Sequence, residues 1–138
     1  MARRAMREMK VSRDIFKILA GKTKMATWLL MERENMNTSD IRALKYLAEI
    51  CDIMTDPDSF NRKVYDCSHR QFDETKMQGD EMVIHESIFY YPSNITMEAL
   101  RLIMKRDSLS TSDTQAVKLL IEAYEIMKDP VGYSRQFQ

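Results

Sequence analysis

Apolar side chains between Asp40 and Thr55 fall at Ile41, Leu44, Leu47, Ala48, Cys51 and Met54, the three- and four-residue spacing of one helix face. The same spacing returns 73 residues later at Thr114, Val117, Leu120, Ile121, Tyr124 and Met127. Both runs open on Thr-Ser-Asp, at Thr38-Ser39-Asp40 and Thr111-Ser112-Asp113, whose short oxygen-bearing side chains can accept first-turn amides. In the second run Ser112 and Gln115 also stand at capping-box spacing. Both runs close on Asp-Pro, at Asp56-Pro57 and Asp129-Pro130, because proline disfavours helical geometry in the residue before it. Held without a gap from residues 6–65 onto 79–138, the offset gives 21 identical pairs in 60, against roughly four expected from composition, which reads as an internal duplication.

Upstream of each run the pattern is less uniform. Residues 3–19 fit an amphipathic helix, with Ala5, Met9, Ser12, Ile15, Phe16 and Leu19 on one side and Arg3, Arg7, Lys10, Arg13 and Lys17 on the other, stopped at Gly21. A short helix over 23–35 follows, with Thr23 as its cap and Ala26, Leu29 and Leu30 as its stripe. Trp28 lies off that stripe. In the second half Thr96, Ala99, Leu102 and Ile103 repeat the cap and stripe while Arg101 replaces Trp28, which makes Trp28 a candidate contact residue as well as a core one. The counterpart of the first helix, residues 81–91, reads as helix, yet Val83-Ile84 and Ile88-Phe89-Tyr90-Tyr91 suit a strand equally well. Phe60 and Tyr133, just past the two prolines, are expected to pack back on the helix ends.

The expected fold is therefore all-α: two repeats of about three helices each, residues 1–65 and 79–138, joined by a polar linker over 66–78 into one domain with pseudo-two-fold symmetry. The alternative is α+β, with strands at 9–16 and 81–91 pairing across the pseudo-axis. Composition agrees with the helical reading, since 138 residues with 44% hydrophobic and 30% charged positions but only three Gly and three Pro favour a helix-rich core. Twelve Met residues serve as core filler or as an adaptable contact surface. Two cysteines and no signal-like apolar segment point to a reducing, intracellular setting, cytoplasmic or nuclear, with organelle targeting as the other reading of the Arg-rich start. No run approaches the ~18 apolar residues of a membrane span.

Formal charge is zero, but residues 1–24 hold eight Lys/Arg against Glu8 and Asp14. Arg3, Arg4, Arg7, Lys10, Arg13 and Lys17 are thus candidates for binding an anionic partner, nucleic acid or membrane. The second half carries Asp80, Val83, Glu86 and Tyr90 where the first has Arg7, Lys10, Arg13 and Lys17, so the basic face is not a folding requirement. Cys51, Cys67, His69 and His85 have donor chemistry for zinc but no common ligand spacing, and Cys67 with His69 lacks the third group of a nucleophilic triad. Glycine-rich phosphate loops, two-His helix motifs and calcium loops are absent from the sequence. A helix-turn-helix reading of the Asp40 helix fails on charge, because Arg42 and Lys45 are outnumbered by Asp40, Glu49, Asp52 and Asp56. The expectation is a non-enzymatic interaction or oligomerisation module with no catalytic residue, cofactor or metal. Its partner would be a protein, another copy included, with Trp28, Tyr90 and Tyr91 as interface candidates; the alternative is nucleic-acid or anionic-surface binding through residues 3–17.

Overall fold

The computed structural model describes residues 8–67 and 80–137. The chain runs β1 (Glu8–Ser12), α1 (Asp14–Leu30), α2 (Thr38–Thr55), α3 (Pro57–Cys67), β2 (Glu81–His85), α4 (Tyr90–Ile103), α5 (Thr111–Lys128) and α6 (Pro130–Ser134). A 3-10 turn, Glu86–Phe89, leads into α4 and another, Arg135–Phe137, follows α6. The protein is thus mostly helical with one small two-stranded sheet. Four long helices make the body: α1 and α4 each pack on both α2 and α5, which sets α1 and α4 across the bundle from one another. Contacts of Lys22 with Glu122 and of Ser112 with Glu32, each 2.6 Å, show α1 and α5 running antiparallel.

Of the amino-terminal helix expected over 3–19, residues 8–12 are strand and helix starts only at Asp14, while residues 3–7 lie outside the described residues. Met9 and Val11 satisfy a helical and an alternating pattern alike, and the deciding factor is the partner: Met9, Val11, Met82 and Ile84 turn inward while Lys10 points out. The two strands pair antiparallel with Met9 opposite Ile84 and Lys10 opposite Val83. Over 81–91 both readings hold in part, since Glu81–His85 is strand and helix begins at Glu86. Strands at 9–16 and 81–91 are therefore shortened, and pairing between them is found.

Downstream, one helix replaces the expected two. α1 passes through Gly21 because Ile15, Phe16, Leu19, Thr23, Ala26 and Leu30 form one continuous buried face on either side of it. Thr23 does not cap; its hydroxyl donates to the Leu19 carbonyl at 2.8 Å. The buried face of α2 is Ala43, Leu47, Ile50, Ile53 and Met54, rotated from the expected stripe, and Ile41 is exposed. The caps sit one residue earlier than Thr38 and Thr111. Asn37 and Ser110 accept from the Asp40 and Asp113 amides, and those carboxylates accept in return, closing two capping boxes. The Asp-Pro stops are as expected, and Phe60 and Tyr133 pack against the core. Within the expected linker, Cys67 ends α3 and residues 68–78 lie outside the described residues.

Side chains from α3 and α6 bond to each edge of the ribbon. Asn61 on α3 donates through Nδ2 to the Val83 carbonyl and accepts from the His85 amide, both at 3.2 Å. On the other edge the Ser12 amide donates to Ser134 Oγ at 2.5 Å. Beneath the ribbon Phe16 and Phe89 stack with centroids 5.5 Å apart. Asn61 and Ser134, Ser12 and His85, Phe16 and Phe89, and the paired Lys10 and Val83 are each 73 positions apart, the interval of the sequence repeat.

Asn61 is fully buried, so Asn61→Ala strands one donor and one acceptor of β2. The expected loss is about 2–4 kcal/mol in urea unfolding, against about 1–2 kcal/mol for Ser134→Ala, which orphans a single amide. Equal losses would show that the second Asn61 hydrogen bond contributes nothing.

Candidate protein-binding face

The α1 surface turned away from the bundle carries Lys17, Gly21, Lys24, Met25, Trp28 and Met31, the last as the C-cap. At about 100° per residue all six lie within roughly 60° of the direction of Trp28. Met25, Trp28 and Met31 are 48%, 59% and 60% exposed, large apolar groups at three-residue spacing. The positions 73 residues on, in and just past α4, carry Glu98 and Arg101, an ion pair at 3.6 Å, and then Met104, exposed like Met31. Apolar residues at the places of Met25 and Trp28 are therefore not shared by the two helices. Basic groups line the α1 stripe, and Lys22 at its margin holds Glu122 at 2.6 Å, keeping that carboxyl below its ordinary range.

Tyr90 and Tyr91 are also exposed, at the start of α4. They sit on the opposite helix of the bundle, so they and Trp28 are not brought together. Tyr91 donates its hydroxyl to Glu49 on α2, which raises its pKa above the ordinary value.

The basic candidates are scattered. Arg3, Arg4 and Arg7 lie outside the described residues. Lys10 points out of β1 and meets Glu81 at 3.7 Å, and Arg13 precedes α1 without a side-chain capping bond and pairs with Asp58 on α3 at 3.3 Å. Lys17 lies on α1, 4.0 Å from Asp14. The strand breaks the single helical face on which these residues were expected to line up. Of the zinc candidates, Cys51 is half-buried on α2, Cys67 is exposed and His69 lies outside the described residues. His85 is buried, its Nδ1 accepting from the Ser87 amide at 3.1 Å and its ring edge-on to Tyr65. Among the described residues no cluster of three or more His, Cys, Asp or Glu is placed to hold a metal.

The most connected polar group was missed in the sequence. Arg33, just past α1, donates to Asp40 Oδ1 at 2.5 Å, to Asp113 Oδ1 at 2.6 Å and to the Ile103 carbonyl at 3.2 Å. Arg106 completes the cluster with a hydrogen bond to the other oxygen of Asp40. Arg33 is paired with Arg106, and Asp40 with Asp113, among the identities at offset 73, and that recurrence of two charges beside two caps was the available signal. A cleft of about 510 Å³ opens beside it, lined by Arg33 and Arg106 but also by Glu32, Glu34 and Asp113, so it offers no excess of positive charge to an anion.

Burial alone would raise both aspartates. Hydrogen bonds from Arg106 and the Asn37 amide, with the charges of both arginines, outweigh it for Asp40; Arg33 and Ser110 do so for Asp113. Both carboxyls therefore titrate below their ordinary value of about 3.9, and the unfolded chain binds more protons than the native one below about pH 5. The stabilisation is complete above that pH and is lost as pH falls through the lowered native values. Asp113→Asn should cost about 3–5 kcal/mol at neutral pH by leaving Arg33 short of a counter-charge, and should flatten the acid limb of stability against pH in urea titrations. An unchanged acid limb would remove Asp113 as its source.

Comparisons with known protein families, with curated proteins and with solved structures found no match.

Proposed function

We propose that this protein is a non-enzymatic helical interaction module that binds a protein partner through the outer face of α1, with Trp28 as anchor. The observation that supports this reading is the exposed Met25–Trp28–Met31 stripe, set against the Glu98–Arg101 ion pair at the equivalent place on α4. Tryptophan and methionine are enriched at interfaces, where aromatic anchors carry much of the binding energy and methionine adapts to the partner's shape. The two halves are read as copies of one unit related by a pseudo-two-fold axis through the Lys10–Val83 pair. On that reading the differences between copies mark what is not needed for folding.

The test is Met25→Lys combined with Trp28→Glu. Stability should stay within about 1 kcal/mol of wild type, as both sites are exposed. Affinity for the partner recovered on immobilised wild type should fall at least ~30-fold, the loss of an anchor worth about 2 kcal/mol. Trp28 is the sole tryptophan, so its emission should move to the blue on binding. Undiminished binding by the variant would reject the face.

A second reading, nucleic-acid binding, is favoured by Lys10, which points outward from the ribbon just after Arg3, Arg4 and Arg7. A major groove about 12 Å wide admits a two-stranded ribbon. Lys10→Glu with Arg7→Glu should then abolish duplex binding and lessen the log–log salt slope by roughly 0.9 per lost phosphate contact. Wild type with no salt-dependent affinity for DNA or RNA would reject it.

A further inference from the structure

We propose that the partner on the α1 face is a second copy of this chain, the two α1 helices packing antiparallel about a two-fold axis with each Trp28 seated over the other copy's Gly21. The proposal rests on reading this face as protein-binding and names its occupant. The register follows from the stripe itself. Setting Trp28 opposite Gly21 sets Lys24 opposite Met25 and Lys17 opposite Glu32, two residues past the end of α1. Each contact occurs twice, as a two-fold interface requires.

Gly21 supplies the seat. It lies in mid-helix, exposed, with nothing among the described residues within 4 Å of where a Cβ would stand, so none of them excludes a side chain there. Glycine in a helix interior is less stable than alanine by about 1 kcal/mol, and the equivalent position in α4 is Asn94. Bare backbone 20° around the helix and about two turns from an exposed indole is a hole at the right place for the same indole on an antiparallel partner. Charge at the two ends of the stripe favours the antiparallel direction, while the two Lys24 ammonium groups flank the axis and must extend past it into solvent. Lys17 is exposed, and Glu32 is held at the other end of the stripe by the Ser112 hydroxyl, so antiparallel packing makes two Lys17–Glu32 pairs. Parallel packing would instead set Lys17 on Lys17 and indole on indole. One helix face per copy is a small interface, which implies weak association, with a dissociation constant roughly in the 10–100 µM range.

The full-length chain is examined by sedimentation equilibrium from about 5 to about 500 µM, bracketing that range, with reductant because Cys51 and Cys67 are free thiols. A monomer–dimer equilibrium is expected, with Trp28 emission moving to the blue as the dimer forms. Gly21→Gln fills the seat without harming the fold and should weaken dimerisation at least tenfold, as should Trp28→Ala. Lys17→Glu should weaken it, and Lys17→Glu with Glu32→Lys should restore it by reversing both pairs. A monomer throughout the range overturns the proposal, as does a dimer indifferent to Gly21→Gln and Trp28→Ala, or a reversed-charge variant weaker than Lys17→Glu alone. If wild type stays monomeric while Met25→Lys with Trp28→Glu still abolishes binding to a different protein, self-pairing is wrong and the protein-binding reading stands. If no partner of either kind depends on Trp28, both fall.

Discussion

The first turns of the two longest helices meet on a single guanidinium. Arg33 bonds the capping aspartate of α2 and that of α5 at once, with its side chain 4% exposed. Each aspartate is also tied to the amide of its own N-cap, so helix start and interhelical contact are one network. Such a cluster contributes little net stability over a well-packed apolar one, but removing one member leaves a buried charge uncompensated. What it fixes is position: the starts of α2 and α5, which lie diagonally across the bundle, can shift relative to one another only by breaking these charge pairs. The ribbon fixes the other end of the bundle, where Lys10 pairs with Val83 above the Phe16–Phe89 stack.

The parts of this fold that were legible in the sequence are those decided locally. The bounds of α2 and α5 follow from caps and Asp-Pro stops that act within a few residues. The ribbon was only half legible, because Met9 and Val11 suit either period and the choice rests on a strand more than 70 residues away. Gly21 misled for a related reason. As punctuation it reads as a stop, yet the buried face from Ile15 to Leu30 outweighs a local penalty of about 1 kcal/mol. Of the candidate residues, the exposure of Trp28 was legible from its disagreement with Arg101, whereas Arg33 and Arg106 agree at the 73-residue offset, and nothing local marks them as charges that meet beside the two caps.

Positions that agree at the 73-residue offset divide: Phe16 and Phe89, Leu47 and Leu120, and Asp40 and Asp113 are buried in the bundle, whereas Met31 and Met104 are exposed. Among positions that differ between α1 and α4, Met25 and Trp28 are apolar and exposed where Glu98 and Arg101 form an ion pair. Packing does not require Met25 or Trp28 to face water, and an exposed tryptophan flanked by methionines is unfavourable to solvate. Such a stripe is most simply explained by an occupant outside the bundle.

The bonded edges of the ribbon bear on where the proposed partner could bind. A two-stranded sheet normally offers two unpaired edges to an incoming strand, and strand addition is a common route to partner binding. Here Asn61 takes the Val83 carbonyl and the His85 amide of β2, Ser134 takes the Ser12 amide of β1, and α3 and α6 stand beside the two strands. Recognition by added strand would first have to displace buried side chains. Helix faces remain: α2 and α5 expose Ile41 and Ile121, and α4 exposes Tyr90, Tyr91 and Met104, while α1 sets Met25, Trp28 and Met31 in one stripe with Gly21 in line. Because knob and hole lie on the same helix about two turns apart, the geometry that completes one copy of the face is already present on another.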